Sequence, residues 1–369
     1  MSTDPLPLLW LHGPPGVGAS SVGWEVFSRL GRDGVTTAFA DGDRLGLCYP
    51  VPDGDTLPLR ARALAALWPN LRAAGARGVV MSGVLDGREE LDLYAKLLPD
   101  AQLMPCRLRV PPEVLRARYL SWGWRPDLAE AAVADALADD DDLGGTCLDL
   151  GELGVTEAAR LVCEQAVTWD ASPADPPAAH WPGASPATEP IIWFSGPTAV
   201  GRSTVTRGVF SQLVLPGVPV AYVDVKQLCA VRPAPADPRP LVARNLATLW
   251  ECYRDAGARV LMVSGGPDSD QDVAAYLAYL PEATPMVFRL HASREALAER
   301  VEARGRGTGP KEPGDELHGL DADSLAAVAA RAAAEAARME QADMGDIRIE
   351  TTGRSVYQTV VEIIQRLSD

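Results

Sequence analysis

Two short segments place glycines where a backbone can wrap an anion. The first reads Gly13-Pro14-Pro15-Gly16-Val17-Gly18-Ala19-Ser20, and the second Gly196-Pro197-Thr198-Ala199-Val200-Gly201-Arg202-Ser203. Both fit the frame G-x-x-x-x-G-[K]-[ST]. In that frame main-chain N–H groups cradle phosphates, the lysine neutralises the outer ones, and the hydroxyl ligates magnesium. The lysine is missing both times, replaced by Ala19 and Arg202. Gly13, Gly16, Gly18 and Ser20, with Gly196, Gly201, Arg202 and Ser203, are therefore the candidates for holding a nucleotide. Ser20 and Ser203 are the candidate magnesium ligands. The expected cofactors are ATP, or another nucleoside triphosphate, and Mg. Arginine keeps the charge as a bulkier planar fork, whereas alanine supplies none. The plain alternative is a pair of inherited turns that serve folding only.

Elements that alternate between strand and helix position these loops. Residues 8–11 are a short apolar run that feeds the first loop. Val22, Val26, Phe27 and Leu30 then recur at helical spacing, and Val205, Val209, Phe210 and Leu213 repeat the pattern after the second loop. Strands are expected at 36–40, ending on Asp41, and at 78–81, 103–110 and 148–150. Helices are expected at 59–74, 112–122 and 156–167. Apolar strands alternating with helices specify an α/β fold in which each unit is a mostly parallel sheet covered on both faces. Ligands of such sheets bind at the carboxyl ends of the strands.

The similarity of the halves extends well past the loops. Leu8-Leu9-Trp10-Leu11 corresponds to Ile191-Ile192-Trp193-Phe194, and Asp41 to Asp224. Arg62, Trp68, Ser82-Gly83 and Arg118 correspond to Arg244, Trp250, Ser264-Gly265 and Arg300. One register held over so many residue types indicates an internal duplication, with a period too long for a solenoid. The expected organisation is a first unit over 1–168, a Pro-rich semi-rigid linker over 169–190, and a second unit over 191–369.

Composition narrows the partners. The 369-residue chain carries a formal charge of −16, which ill suits a nucleic-acid backbone. Only Lys96, Lys226 and Lys311 are lysines. None of the six cysteines forms a C-x-x-C pair. With no signal-like start and no run of ~20 apolar residues, a cytoplasmic location without a membrane partner is expected.

The segment Ala40-Asp41-Gly42-Asp43-Arg44-Leu45 resembles the D-G-D stretch of adenylylsulfate kinases. Val80-Met81-Ser82-Gly83 is similar to the third strand of gluconate kinases and chloramphenicol phosphotransferases. The helices that begin at Glu113 and Glu295 resemble the arginine-bearing helix before the lid of such kinases. The resemblance implies two P-loop kinase-like units of the small-molecule type. It implies charge stabilisation of a moving phosphoryl group by Arg202, Arg300 and Arg304. It also implies that Asp41 and Asp43 orient magnesium or the accepting hydroxyl. Arg62 and Arg244 are candidates for binding an anionic acceptor, with a solvated helix face as the alternative. In the second half Lys226 stands where the first has Asp43, and is a candidate for supplying the missing phosphate charge from another direction.

Acids thus persist in one half and bases in the other, and catalysis is expected in the second. Loops at 230–240 and 305–319 are candidates for movement, and the acidic run at 139–142 reads as a solvated surface. Three function classes stay open. One is an ATP-dependent kinase acting on a small-molecule hydroxyl. Another is a catalytically dead pseudokinase that senses nucleotide. The last is a scaffold for a protein partner.

Overall fold

The computed structural model describes residues 5–51, 54–122, 126–138, 143–169, 188–226, 228, 230–266, 269–280, 282–308, 315 and 317–368. Most of the Pro-rich segment, the acidic run at 139–142 and the middle of the 305–319 loop lie outside the described residues.

The first half contains strands β1 (Leu6–His12), β2 (Thr37–Asp41), β3 (Cys48–Tyr49), β4 (Gly78–Ser82), β5 (Ala101–Arg109) and β6 (Thr146–Asp149). Its helices are α1 (Ala19–Arg32), α2 (Leu57–Ala73), α3 (Gly87–Leu97), α4 (Pro112–Trp122), α5 (Ala129–Ala138) and α6 (Val155–Gln165). The second half contains β7 (Ile191–Ser195), β8 (Val220–Asp224), β9 (Ala230–Arg232), β10 (Val260–Ser264), β11 (Pro285–His291) and β12 (Ile347–Glu350). Its helices are α7 (Arg202–Val214), α8 (Arg239–Asp255), α9 (Asp270–Leu277), α10 (Arg294–Gly305), α11 (Ala322–Gln341) and α12 (Val356–Ser368).

These elements build two six-stranded sheets, ordered β6-β5-β1-β4-β2-β9 and β12-β11-β7-β10-β8-β3. Five strands of each run parallel, so the α/β expectation holds. The central strands β1, β2, β4, β7 and β8 are buried along their whole length, as strands covered on both faces must be. On α1 the expected stripe of Val22, Val26, Phe27 and Leu30 is fully buried. On α7 Val205 and Val209 are buried, while Phe210 and Leu213 pack from the margin.

The sixth strand of each sheet comes from the other half. β9 joins β2 antiparallel, with Val231 opposite Ala38, and β3 joins β8 antiparallel, with Cys48 opposite Ala221. The exchange caps a strand edge that would otherwise expose unpaired backbone groups. It also revises the expectation of a mobile loop at 230–240, since residues 230–232 are held in a sheet. Helices α2 and α8 pack together beneath the crossing. There the Asn70 side-chain amide donates to Asn245 Oδ1 at 3.0 Å and to Thr248 Oγ1 at 3.1 Å. One apolar core runs through both halves and joins Trp10, Leu64, Trp68 and Leu71 to Trp193, Leu246, Trp250 and Tyr253.

Candidate functional site

Each glycine loop links the first strand of its half to the following helix, and the two share a backbone path. Gly13, Gly16 and Gly18 have φ of 150°, 96° and 101°, against 146°, 65° and 98° for Gly196, Ala199 and Gly201. Ala199 therefore holds a left-handed conformation that L-residues enter at a cost of about 1–2 kcal/mol. It is held there by packing against Val301, Leu317 and Val328. A Cβ on Gly13 would lie 2.6 Å from the Leu108 carbonyl oxygen, and one on Gly196 would lie 2.6 Å from that of Leu290. The leading glycine is thus required by the neighbouring strand in both copies.

The loops also share their covering helix. In the first half α4 lies over the loop, where a Cβ on Gly16 would meet Leu115 Cδ1 at 3.2 Å. Arg118 donates from Nη1 to the Val17 carbonyl at 2.8 Å. In the second half α10 lies over the corresponding residue, Ala199, which packs against Val301, and Arg300 makes the matching bond to the Val200 carbonyl. A Cβ on Gly201 meets no atom within 4 Å and one on Gly18 only Arg118 Nη1, at 3.7 Å. A cavity of about 730 Å³ opens at the second loop, lined by residues 197–205, Asp224, Lys226, α10, the β9 region and the start of α12. The residues of the first loop and its two acids are not among that lining.

Within the cavity the expected residues fall into distinct arrangements. The Ser203 hydroxyl donates to Asp224 Oδ2 at 2.7 Å, and the Lys226 main-chain N–H donates to Asp224 Oδ1 at 3.1 Å. Asp224, at the end of β8, thereby positions the hydroxyl. Arg202 donates from Nη1 to the Gly196 carbonyl at 2.7 Å, so its fork curls back over the loop. Arg300 donates to the Val200 carbonyl at 2.9 Å and to the Thr351 carbonyl at 2.7 Å. Arg304 makes a two-pronged pair with Asp315, at 2.9 and 2.8 Å. Both arginines line the cavity, with Arg300 bound to backbone and Arg304 to a carboxylate.

Lys226 stands apart from these. It lines the cavity, and among the described residues no side-chain hydrogen bond or ion pair takes its ammonium. Desolvation by the crowded wall, and then the Arg202 guanidinium, pull it below the ordinary lysine value. Arg304 acts in the same direction, and Asp224 and Glu335 oppose it. Seven basic residues line the cavity (Arg202, Lys226, Arg232, Arg300, Arg304, Arg331 and Arg354) against the acids Asp224 and Asp315, with Arg331 and Arg354 paired to Glu335 and Glu362 outside the lining. In a chain of charge −16 this is a local inversion that attracts anions.

The first half's acids sit elsewhere. Asp41 is buried at the end of β2 and accepts the Asp43 main-chain N–H at 3.1 Å. Burial, and then the Asp43 charge, push its carboxyl up to about 6. Asp43 pairs with Arg60 at 3.4 Å. Ser20 holds the second position of α1. Arg62 and Arg244 lie on α2 and α8 and are not among the residues lining the cavity.

Sequence reasoning missed Glu335, whose Oε2 accepts the Thr198 main-chain N–H of the second loop at 2.8 Å. It also missed Trp24 of α1, which lines the second half's cavity. Neither carries a local signal, because each reaches the site only through helix placement. Among the described residues no helix is long and apolar enough to cross a membrane, and no group of three or more His, Cys, Asp or Glu could cage a metal.

No family profile matches the chain, and no curated protein matches it. Solved structures do resemble it. An unliganded sugar kinase from Janibacter sp. HTCC2649 is 19% identical and aligns over 48% of this chain and 100% of its own, with a TM-score of 0.32. A gluconokinase from Sinorhizobium meliloti 1021 is 21% identical over 42% of this chain and 89% of its own, with a TM-score of 0.31. The APS kinase of Mycobacterium tuberculosis, solved with AMPPNP and APS, is 19% identical over 44% of this chain and 97% of its own, with a TM-score of 0.31.

Proposed function

We propose that the second half binds a nucleoside triphosphate, ATP in the first instance, and transfers its γ-phosphoryl group to the hydroxyl of a small molecule. The products are the diphosphate, the phosphorylated acceptor and a proton. The observation that carries this reading is the Lys226 ammonium, unpaired among the described residues, in the same cavity as the second glycine loop. Lys226 and Arg202 then share the neutralising role of the absent lysine, from two directions. Ser203, held by Asp224, is the hydroxyl for magnesium, which takes few protein ligands when phosphates complete its shell. The residues present fit a nucleotide–magnesium pair. When bound, the nucleotide supplies the group to be transferred. Arg300 shapes the loop through its bonds to Val200 and Thr351 and acts through the backbone.

The first half, in this reading, has no phosphate site that turns over. Ala19 brings no charge, and Asp41 resists ionisation. We read the two halves, 1–168 and 191–369, as an ancient duplication joined by the 169–190 segment. Their equal sheet orders and matched loop torsions support this. Two free buried cysteines, Cys48 and Cys106, suit a reducing cytoplasm.

The deciding experiment is calorimetric titration of Mg-ATP into the full chain, followed by single-turnover transfer. Binding at micromolar to millimolar levels is expected. Arg202→Ala and Lys226→Ala should each weaken it about tenfold or more, the scale of a charge-assisted phosphate contact. No binding to the parent chain would end the reading. A second reading, nucleotide sensing without turnover, is favoured by two contacts. Arg202 is folded onto the Gly196 carbonyl, and Glu335 already takes a loop amide. Tight binding with no transfer would select it.

A further inference from the structure

We propose that the first half forms the far wall of the second half's acceptor pocket, and that this pocket takes an alcohol with an apolar body of aromatic size. The inference deepens the phosphotransfer reading above and rests on it. From Lys226 the cavity continues past Leu228, Val231, Leu241 and Val242 to Trp24 on α1. The strand exchange produces this arrangement. Soon after Asp224 the chain crosses to the other sheet, where Val231 pairs with Ala38 and Arg232 with Thr37. That crossing carries the cavity wall over to α1. A Cβ on Gly31 would sit 2.6 Å from the Arg232 Cβ, so α1 keeps a glycine where β9 presses closest.

Trp24 is a built wall. Its ring meets Phe39 edge-on at 5.2 Å and Phe27 at 5.3 Å. The Arg232 guanidinium lies over it at 5.3 Å and donates to the Ser28 hydroxyl at 2.9 Å. The charge at this end of the cavity is thus engaged by the rings and Ser28, and Leu228, Val231, Leu241 and Val242 give the lining its apolar part. At the loop end stand Arg202 and Lys226. A ligand that spans the cavity meets cations at one end and an apolar enclosure at the other. A sugar acid would give up hydration at the apolar end without gaining partners there. An aryl or branched aliphatic group would gain from burial, on the order of tenfold or more per group enclosed.

The test uses the full chain and three probe alcohols, 3-phenylpropane-1,2-diol, glycerol and gluconate. Their affinities are read by ligand-observed NMR with Mg-ADP present and absent, and Mg-ADP affinity is measured separately. The phenyl diol should bind about tenfold or more tightly than either other probe. Trp24→Ala should lose about that factor, Trp24→Phe should recover most of it, and Mg-ADP affinity should stay unchanged. Ala234→Glu, at an exposed position of the cavity wall, should also weaken the diol without perturbing the core. The proposal is overturned if gluconate binds as well as the diol. It is also overturned if Trp24→Ala, or Ala234→Glu should the first variant not fold, leaves diol affinity intact. Failure of the parent chain to bind Mg-ADP would instead remove the nucleotide reading, and the diol titration would still decide the apolar wall.

Discussion

Replacing Asp41 with asparagine should stabilise this protein at neutral pH. The carboxyl is buried at the end of β2, and it titrates at about 6 instead of its ordinary 3.8. Between those values the folded chain binds more protons than the unfolded one, so stability falls as the pH rises through that window. Above the folded value the full cost of burying the charge is present. A shift of about two units at 1.36 kcal/mol each gives about 3 kcal/mol at pH 7. At pH 5 the carboxyl is mostly protonated in the folded state, and the same linkage leaves roughly half of that. Asparagine removes the charge and keeps an oxygen for the Asp43 N–H. Urea unfolding of parent and Asp41→Asn chains should show a gap of about 3 kcal/mol at pH 7 that narrows steadily toward pH 5. A variant no more stable than the parent at pH 7, or a gap that widens on acidification, would refute the reasoning. Magnesium nucleotide added to the parent would close the gap if Asp41 holds the metal, so the same titration tests that expected role.

The other outcomes concern the second loop and the joint between halves. Glu335→Gln keeps an acceptor for the Thr198 N–H and removes a negative charge beside the phosphate cradle. Mg-ATP affinity should rise more than tenfold in calorimetry, since one unit charge at ~5–10 Å through an effective dielectric of ~20 is worth about 2–3 kcal/mol. Asn70→Leu strands the Asn245 and Thr248 groups in the buried α2–α8 contact. Unfolding free energy should drop by about 1–3 kcal/mol, the cost of unsatisfied buried polar groups. The loss should appear in one transition, because a single core spans both halves.

Much of the fold was legible in residue order. The strands that flank each loop, the α1 stripe and the helix at 112–122 follow from hydrophobic period and turn chemistry. Those are local properties, fixed by which residues lie three, four or two positions apart. The helices α3 and α5 were missed, since α3 buries only a narrow face and α5 is largely alanine with no polar stripe to mark a period. The strands β3 and β9 were missed for a different reason. Two or three residues carry no periodicity, and their partners lie in the other half of the chain.

The candidate site divides along the same line. The glycines, Ser203 and Arg202 are written in one contiguous segment, so the sequence alone determined that a glycine loop of the phosphate-binding frame is present and that the lysine of that frame is absent. Only the tertiary structure decided that the second loop opens into a cavity. It alone brought Trp24 to that cavity and Glu335 to the Thr198 N–H, and left Arg62 and Arg244 out of the cavity wall. A backbone torsion depends on a residue and its immediate neighbours, whereas the space above a loop depends on how helices from distant parts of the chain pack.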